Sequence, residues 1–348
     1  MRITQIMLAK GFGGAERSFV DTALALAARG HQIQAICNRR FCKKNLLEGI
    51  SGIQLETVRV GGELDFITSW RIAKQIKGFG AEVVHTQLKR AAWHGGRAAH
   101  IVGVPVVSKL HNYVRLKRYK YVHTLIGTTE DQRRHALDSG WPEDRVEVIP
   151  NFSRVLPVNT VRRPDSSPLQ LLSYGRYVHK KGFDVLLYAF KQLLDSGVDA
   201  CLTIGGSGPE SGALKALAVE LGIASKVSLG VWFDDVSEAL DRSDLFVLPS
   251  RDEPFGIVML EAMARGLPIV TTSTQGPVQV LSEETAFFAD IDSVESLALA
   301  LNQAAQNPAE AVVRAEAALQ LYRSVYHEEA VLPRLESLYR SVCSKSAI

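Results

Sequence analysis

The chain has 348 residues, of which 46% are hydrophobic and 22% charged, with Lys+Arg 40 against Asp+Glu 37 and a formal net charge of +3. That length suits two domains of ordinary size, with enough apolar content for large cores. No run of 18 or more apolar residues and no signal-peptide pattern occurs, and the four cysteines lack metal-ligand spacing, so a membrane span, secretion and a cysteine metal site are not expected.

In chain order, Ile3–Leu8 reads as a strand, and Gly11-Phe-Gly13-Gly14-Ala-Glu16-Arg17 as a loop opening a helix over Ala15–Arg29. A dinucleotide fingerprint would need a third glycine where Glu16 stands, so that reading fails. Glu82–His85 and Pro105–His111 read as strands ending in histidine. Residues 1–155 hold 24 Lys+Arg and 13 Asp+Glu, a balance of +11, and the remainder balances it with −8. The excess gathers at 39–44 and at Arg115-Leu-Lys-Arg-Tyr-Lys-Tyr121, where cations alternate with Leu116, Tyr119 and Tyr121. Cations on lipid phosphates and aromatic rings at headgroup level suit an anionic bilayer surface. A solvated basic face and nucleic acid are the other readings, and no nucleic-acid motif accompanies the charge.

Val155–Pro168, with three prolines and few apolar residues, reads as a linker. Beyond it, Leu171–Tyr174 is a strand, 175–182 a loop with Arg176, His179, Lys180 and Lys181, and Phe183–Leu194 a helix. Thr203-Ile-Gly-Gly206-Ser-Gly-Pro209 is a strand end entering a glycine-rich turn, and 229–234 a further strand and loop carrying Val231 and Trp232. Asp244–Ser250 is a buried strand stopping at Pro249. Glu253-Pro-Phe255-Gly256-Ile257-Val-Met-Leu-Glu261 spans the next loop and helix, which Gly266-Leu-Pro268 ends. The first-turn amides at Phe255, Gly256 and Ile257 have no intrahelical acceptor and can hold an anion. Asp290-Ile-Asp292 matches the D-x-D of metal-dependent transferases. It precedes a helix over Val294–Gln306, so Asp292-Ser293 reads as its N-cap, and no catalytic metal is expected.

The segment from Glu253 to Ala264 resembles the E-x7-E signature of retaining GT-B glycosyltransferases of family 4. Arg176 to Gly182 is similar to the G-R-x-x-x-x-K-G segment of that family, Gly206 to Pro209 to its G-x-G-P, and Gly13 to Glu16 to its G-G-x-E. The resemblance covers nearly the whole chain. Two positions depart from the pattern: Phe152-Ser153 stand where the family often has G-[VI]-D, and Gln279 where it has Glu.

The resemblance implies an α/β, GT-B architecture of two doubly wound Rossmann-like domains facing each other across a cleft. The N-terminal domain, 1–154, would take the acceptor. A linker follows at 155–168, and a nucleotide-sugar domain at 169–321. Residues 322–348 would form helices crossing back to the N-domain. The implied site has Arg176 and Lys181 on the donor diphosphate with the Gly13–Gly14 backbone, and Gly206 in the cleft floor. Val231 and Trp232 lie by the nucleobase, Glu261 on the ribose, Glu253 with the Phe255–Ile257 amides on the donor sugar, and His111 over the sugar near the acceptor. His111, Glu253, Arg176 and Lys181 form the catalytic set, and the basic loop that carries Arg176 and Lys181 is expected to be exposed. The expected reaction moves a sugar, with retention, from a nucleoside diphosphate sugar to a glycan or lipid-linked acceptor. UDP-sugar is favoured as donor, and neither metal nor cofactor is expected. A basic N-domain points to a phosphorylated or lipid-linked acceptor and an anionic inner-membrane surface. The expected setting is bacterial polysaccharide or lipopolysaccharide synthesis, in a cytoplasmic protein peripheral on the inner face of the inner membrane. A GT-B sugar-nucleotide epimerase and a non-catalytic sugar-nucleotide-binding protein are the alternatives.

Overall fold

A computed structural model describes residues 1–62, 65–164, 166–233 and 235–345. Asp165 of the segment read as a linker and Asp234 of the nucleobase loop lie outside the described residues. The chain divides into two compact units, Met1–Phe152 with Glu328–Ile348, and Ser153–His327.

In the first unit the described residues form a parallel sheet in the order β3-β2-β1-β4-β5-β6-β7. Its strands are β1 (Arg2–Met7), β2 (Gln32–Asn38), β3 (Ile53–Val58), β4 (Val83–Gln87), β5 (Val106–Lys109), β6 (Thr124–Gly127) and β7 (Val146–Val148). The central strands are buried on both faces because helices cover both. Helices α1 (Gly14–Ala28), α2 (Phe66–Phe79), α3 (Leu88–Val102) and α4 (Glu130–Asp138) supply that cover. Glu16 closes a capping box on α1 by accepting from the Gly13 N–H at 3.0 Å. Asp65 caps α2 by accepting from Thr68 N–H at 2.9 Å, and left-handed Gly80 ends it.

On the α1 face, Ile3, Met7, Phe19 and Leu26 pack with Val331, Leu332, Leu335 and Tyr339 of a C-terminal helix, Glu328–Lys345. Arg29 Nε donates to Glu336 at 2.7 Å, tying this helix to the end of α1. On the opposite face, Ile72 and Ile76 of α2, Ala91 and Ala98 of α3, Leu116 and Tyr119 share one core. This corrects the reading of the 115–121 run. Leu116 and Tyr119 point into the protein, and Tyr121 packs on Trp93 and His100. Every third residue of this short 3-10 turn must face the sheet, so its apolar side chains are core and its cations alone face outward.

In the second unit the described residues form a second parallel sheet in the order β10-β9-β8-β11-β12-β13. Its strands are β8 (Leu169–Tyr174), β9 (Ala200–Gly205), β10 (Val227–Val231), β11 (Leu245–Leu248), β12 (Ile269–Thr272) and β13 (Phe287–Ala289). Helices α5 (Phe183–Asp195), α6 (Ser211–Glu220), α7 (Val236–Asp241), α8 (Ile257–Ala264), α9 (Gln275–Val280), α10 (Val294–Gln306) and α11 (Pro308–Leu321) surround it. Much of the segment read as a linker lies along this unit: Val155 is buried, Val158 N–H donates to Ala264 O at 2.9 Å, and Arg162 donates to Ser243 O at 2.8 Å. Residues 322–326, read with the C-terminal helices, form a π-turn here, with Tyr322 Oη donating to Val155 O at 2.9 Å.

In each sheet the strand order reverses beside the first strand, between β1 and β4 and between β8 and β11. Loops leaving the carboxyl ends of such strands diverge and open a crevice, which is where open α/β sheets bind ligands.

Candidate active site

β8 and β11 are parallel neighbours, so the basic loop at 175–182 and the Glu253 loop leave the same sheet edge at the second unit's switch point. Backbone holds them in register. Gly182 sits at φ +65°, and a Cβ there would lie 2.0 Å from Pro249 O. Arg251 N–H donates to Lys180 O at 2.8 Å. The Arg251 guanidinium donates to both Asp184 oxygens at 2.8 and 2.7 Å, to Asp292 Oδ1 at 2.6 Å and to His179 O at 2.9 Å. The Asp184 hydrogen bonds, followed by that to Asp292, overcome burial and hold Arg251 above its ordinary range. Nothing in the sequence singled out Arg251, because its partners lie 67 and 41 residues away with no motif spacing. The capping task falls to Ser293, whose Oγ accepts from Ser296 N–H at 3.1 Å, while Asp292 turns left-handed and pairs with Arg251.

The two loops bring Lys181 and Glu253 together, Nζ to Oε2 at 2.5 Å. Glu253 is 9% exposed and Lys181 is half-buried, so this part of the basic loop is not the exposed segment the sequence suggested. The loop is tied to its neighbour at Gly182 and Arg251, and its lysine turns to the Glu253 carboxylate rather than out to solvent. Glu261 is 3% exposed and accepts from Tyr174 Oη at 2.6 Å. Gly256 is left-handed at φ +89°, and Gly276 N–H donates to Glu253 O at 2.7 Å. A Cβ at Gly276 would come within 2.5 Å of Phe255 N, so the glycine is required by backbone approach. Phe255 turns its ring inward against Tyr326. The amides of Phe255, Gly256 and Ile257 then head α8 without an acceptor among the described residues. Buried Ser250 Oγ and Thr274 Oγ1 also lack a partner among the described residues, and no motif singled out Thr274.

Arg176 is exposed, and its guanidinium has no hydrogen bond among the described residues. Gly206, at φ +111°, lets the glycine-rich turn reach the start of this loop: a Cβ there would lie 2.1 Å from Gly175 O. Its N–H donates to Val231 O at 2.7 Å, and Trp232 beside it is 61% exposed.

In the first unit, exposed Gly14 opens α1, while the Gly13 N–H is committed to Glu16. His111, half-buried after β5, meets Gln87 Oε1 through Nε2 at 2.9 Å. Behind it the sheet is unexpectedly polar. Lys109 is buried with Nζ donating to Pro150 O at 3.2 Å, and His85 Nδ1 meets Tyr339 Oη at 2.7 Å. Burial pushes Lys109 down to about 7 and, with the Lys109 charge, His85 to about 3. Burial, then Lys109 and His85, hold His111 well below its ordinary range, so its imidazole is neutral at pH 7. Gln87 and Lys109 pair across β4 and β5, with His85 two residues before Gln87 on the same sheet face. Polar residues crowding the carboxyl ends of two buried strands, His85-Thr86-Gln87 on β4 and Ser108-Lys109 on β5, are the signal that could have found them.

The chain matches the family model "Glycosyltransferase Family 4" over residues 12–153 and "Glycosyl transferases group 1" over residues 160–320. The lipopolysaccharide core biosynthesis glycosyltransferase LpsD of Rhizobium meliloti is 30% identical over 303 residues, covering 85% of this chain and 86% of that protein. The chain belongs to the family 4, group 1 glycosyltransferases. LpsE of the same organism, named likewise for lipopolysaccharide core biosynthesis, is 30% identical over 310 residues, covering 87% of this chain and 88% of that protein. The crystal structure of Anabaena Alr3699/HepE in complex with UDP shares the fold of this glycosyltransferase, with a TM-score of 0.84 at 18% identity over 98% of this chain and 100% of that one. The chain is thus a GT-B glycosyltransferase, and the matched segments contain every loop described above. Among the described residues, no helix is long and apolar enough to cross a membrane.

Proposed function

We propose that this glycosyltransferase moves a sugar from a nucleoside diphosphate sugar, UDP-sugar first, to a lipid-linked or glycan acceptor in lipopolysaccharide core synthesis. Transfer would proceed with retention and without a metal, on the cytoplasmic face of the inner membrane. The observation that carries this reading is the Lys181–Glu253 pair lying beside the free amides of α8. An ammonium held by a carboxylate is already placed and desolvated, and can turn to a diphosphate as negative charge grows on the departing nucleotide. Arg176 adds an uncommitted planar cation suited to phosphate oxygens. Glu261 would take the ribose hydroxyls, and Glu253 with the Phe255–Ile257 amides the sugar. Gly206, Val231 and Trp232 would border the nucleobase. The Gly14 side of the Gly13–Gly14 turn offers backbone to the diphosphate, since the Gly13 N–H is taken. His111, neutral, would act at the sugar as a hydrogen-bonding group rather than as a cation. The names of LpsD and LpsE support the acceptor class, and the UDP complex of HepE supports the donor class.

The test is incubation with a panel of UDP-sugars and truncated lipopolysaccharide acceptors, with and without excess chelator. Transfer is expected from at least one donor, undiminished by chelator, giving a product with the donor's anomeric configuration by NMR. Conversion of donor without acceptor would indicate an epimerase. Binding without turnover would indicate a non-catalytic protein. Loss of transfer in chelator, restored by manganese, would replace the cation-based account with a metal-based one.

A further inference from the structure

The exposed side of α2 is apolar where a helix on a soluble face is ordinarily polar. Phe66, Ile67 and Trp70 are 56%, 61% and 62% exposed, while Thr68, Ser69, Ile72, Ala73 and Ile76 are buried. At 100° per residue the three apolar side chains share one outward arc with Arg71, Lys74 and Lys77, which continue the same stripe toward the C-terminus. The stripe is thus apolar in its first turns and cationic in its later ones. Its surroundings carry the same sign. The segments 66–79, 88–102 and 115–121, which pack together on one face of the first unit's sheet, contain ten Lys and Arg and no Asp or Glu. The Arg97 guanidinium lies over the Phe66 ring at 3.9 Å, and Lys120 Nζ over the Trp93 ring at 5.3 Å. Cations are therefore held at the level of the aromatic rings.

We infer that this face docks on an anionic lipid bilayer, with Phe66, Ile67 and Trp70 entering the headgroup boundary and the surrounding cations resting on lipid phosphates. A polyanion such as nucleic acid would match the charge but leave three large apolar side chains in water. A protein groove would match the apolar residues but need not be anionic over three segments. An interface of phosphates above hydrocarbon satisfies both. The inference deepens the reading of a lipid-linked acceptor, and it moves the apolar contact from Leu116 and Tyr119, which are core, to α2.

The experiment measures binding of the full chain to vesicles with no donor or acceptor present, so its outcome is independent of glycosyl transfer. Vesicles of phosphatidylglycerol and phosphatidylethanolamine are compared with phosphatidylcholine as salt rises. A third set carries brominated lipid, which quenches indole fluorescence in contact with the acyl region. Binding is expected on the anionic vesicles only, with quenching that Trp70→Phe removes. Phe66→Gln, Ile67→Gln and Trp70→Gln together should weaken binding by about tenfold or more, from the apolar area withdrawn from the membrane. Arg71→Gln, Lys74→Gln and Lys77→Gln together should weaken it with a shallower salt dependence. Melting temperature and UDP-sugar hydrolysis of both variants should match the parent, because the positions are exposed and outside the donor loops. Unchanged vesicle binding by the apolar triple variant overturns the inference, as does quenching that survives in Trp70→Phe. If the basic variant loses transfer to a soluble phosphorylated glycan but keeps vesicle binding, the cations read the acceptor and the bilayer assignment is wrong.

Discussion

Lys181 and Glu253 compensate each other, and a buried carboxylate that loses its cation is costly, on the order of 3 kcal/mol or more in enclosed pairs. Lys181→Ala should therefore lower the melting temperature. Adding Glu253→Gln should restore much of that loss without restoring turnover, since the diphosphate still lacks its cation. Thermal melts and rates of the two single variants and the double variant check this, and additive losses in stability would show that the pair is not coupled. Lys109 gives a second residue-scale test. Its ammonium titrates near 7 in the fold, far below the ordinary 10.5, because burial disfavours the charge. The unfolded chain then binds more protons than the folded one between these values, so this group's contribution to stability rises with pH across that window. Relative to Lys109→Met, the wild type should gain melting temperature from about pH 7 to pH 10, and a flat difference would contradict a buried, neutralised lysine. Glu253 and Glu261 were legible because their spacing is short-range and their motif is long. Arg251, Gln87 and Thr274 were not, because what defines them is a partner or an unpaired atom far along the chain.

At the scale of elements, the site depends on two loops being kept at one spacing. Gly182→Ala puts a side chain into left-handed backbone and against Pro249 O, which should cost on the order of 1–3 kcal/mol and separate the loops. Arg251→Met keeps bulk but leaves Asp184 and Asp292 without their shared cation. Both variants should bind UDP more weakly than the parent by calorimetry, although neither residue is assigned to the ligand. Unaltered affinity in both would mean that the loops hold their spacing without these ties. Most strands and helices read from the sequence lie within one or two residues of their observed ends, but the C-terminal helix starts at Glu328 rather than at 322, because 322–326 form a π-turn. The helix over Val294–Gln306 matches to the residue, since Ser293 marks its start. The 115–121 run was misread for a physical reason: alternating cations and rings look alike in sequence whether the rings face lipid or core. Only packing against the sheet decides.

At the scale of the molecule, the C-terminal helix belongs to the first unit, where Glu336 joins Arg29 and His31. Burial raises the Glu336 carboxyl, but hydrogen bonds from Arg29 and His31 carry it below the ordinary 4.5. Folded chains then bind fewer protons than unfolded ones, so the stabilisation is present above 4.5 and is lost as pH falls through the lower folded value. The melting difference between wild type and Glu336→Gln should be largest near neutral pH and should vanish in acid. A difference that persists in acid would point to packing rather than charge. The two parallel sheets follow from alternating strand and helix patterns, and the switch-point placement of the loops follows from topology that the family resemblance supplied.

The second unit's paired loops are proposed to hold a sugar nucleotide for transfer. The most direct measurement is the rate of sugar transfer from the preferred UDP-sugar by wild type and Lys181→Ala, at donor concentrations that saturate each. The rate should be at least about a hundredfold lower in the variant, the loss of about 3 kcal/mol of transition-state stabilisation. A variant that transfers at the wild-type rate would contradict that proposal.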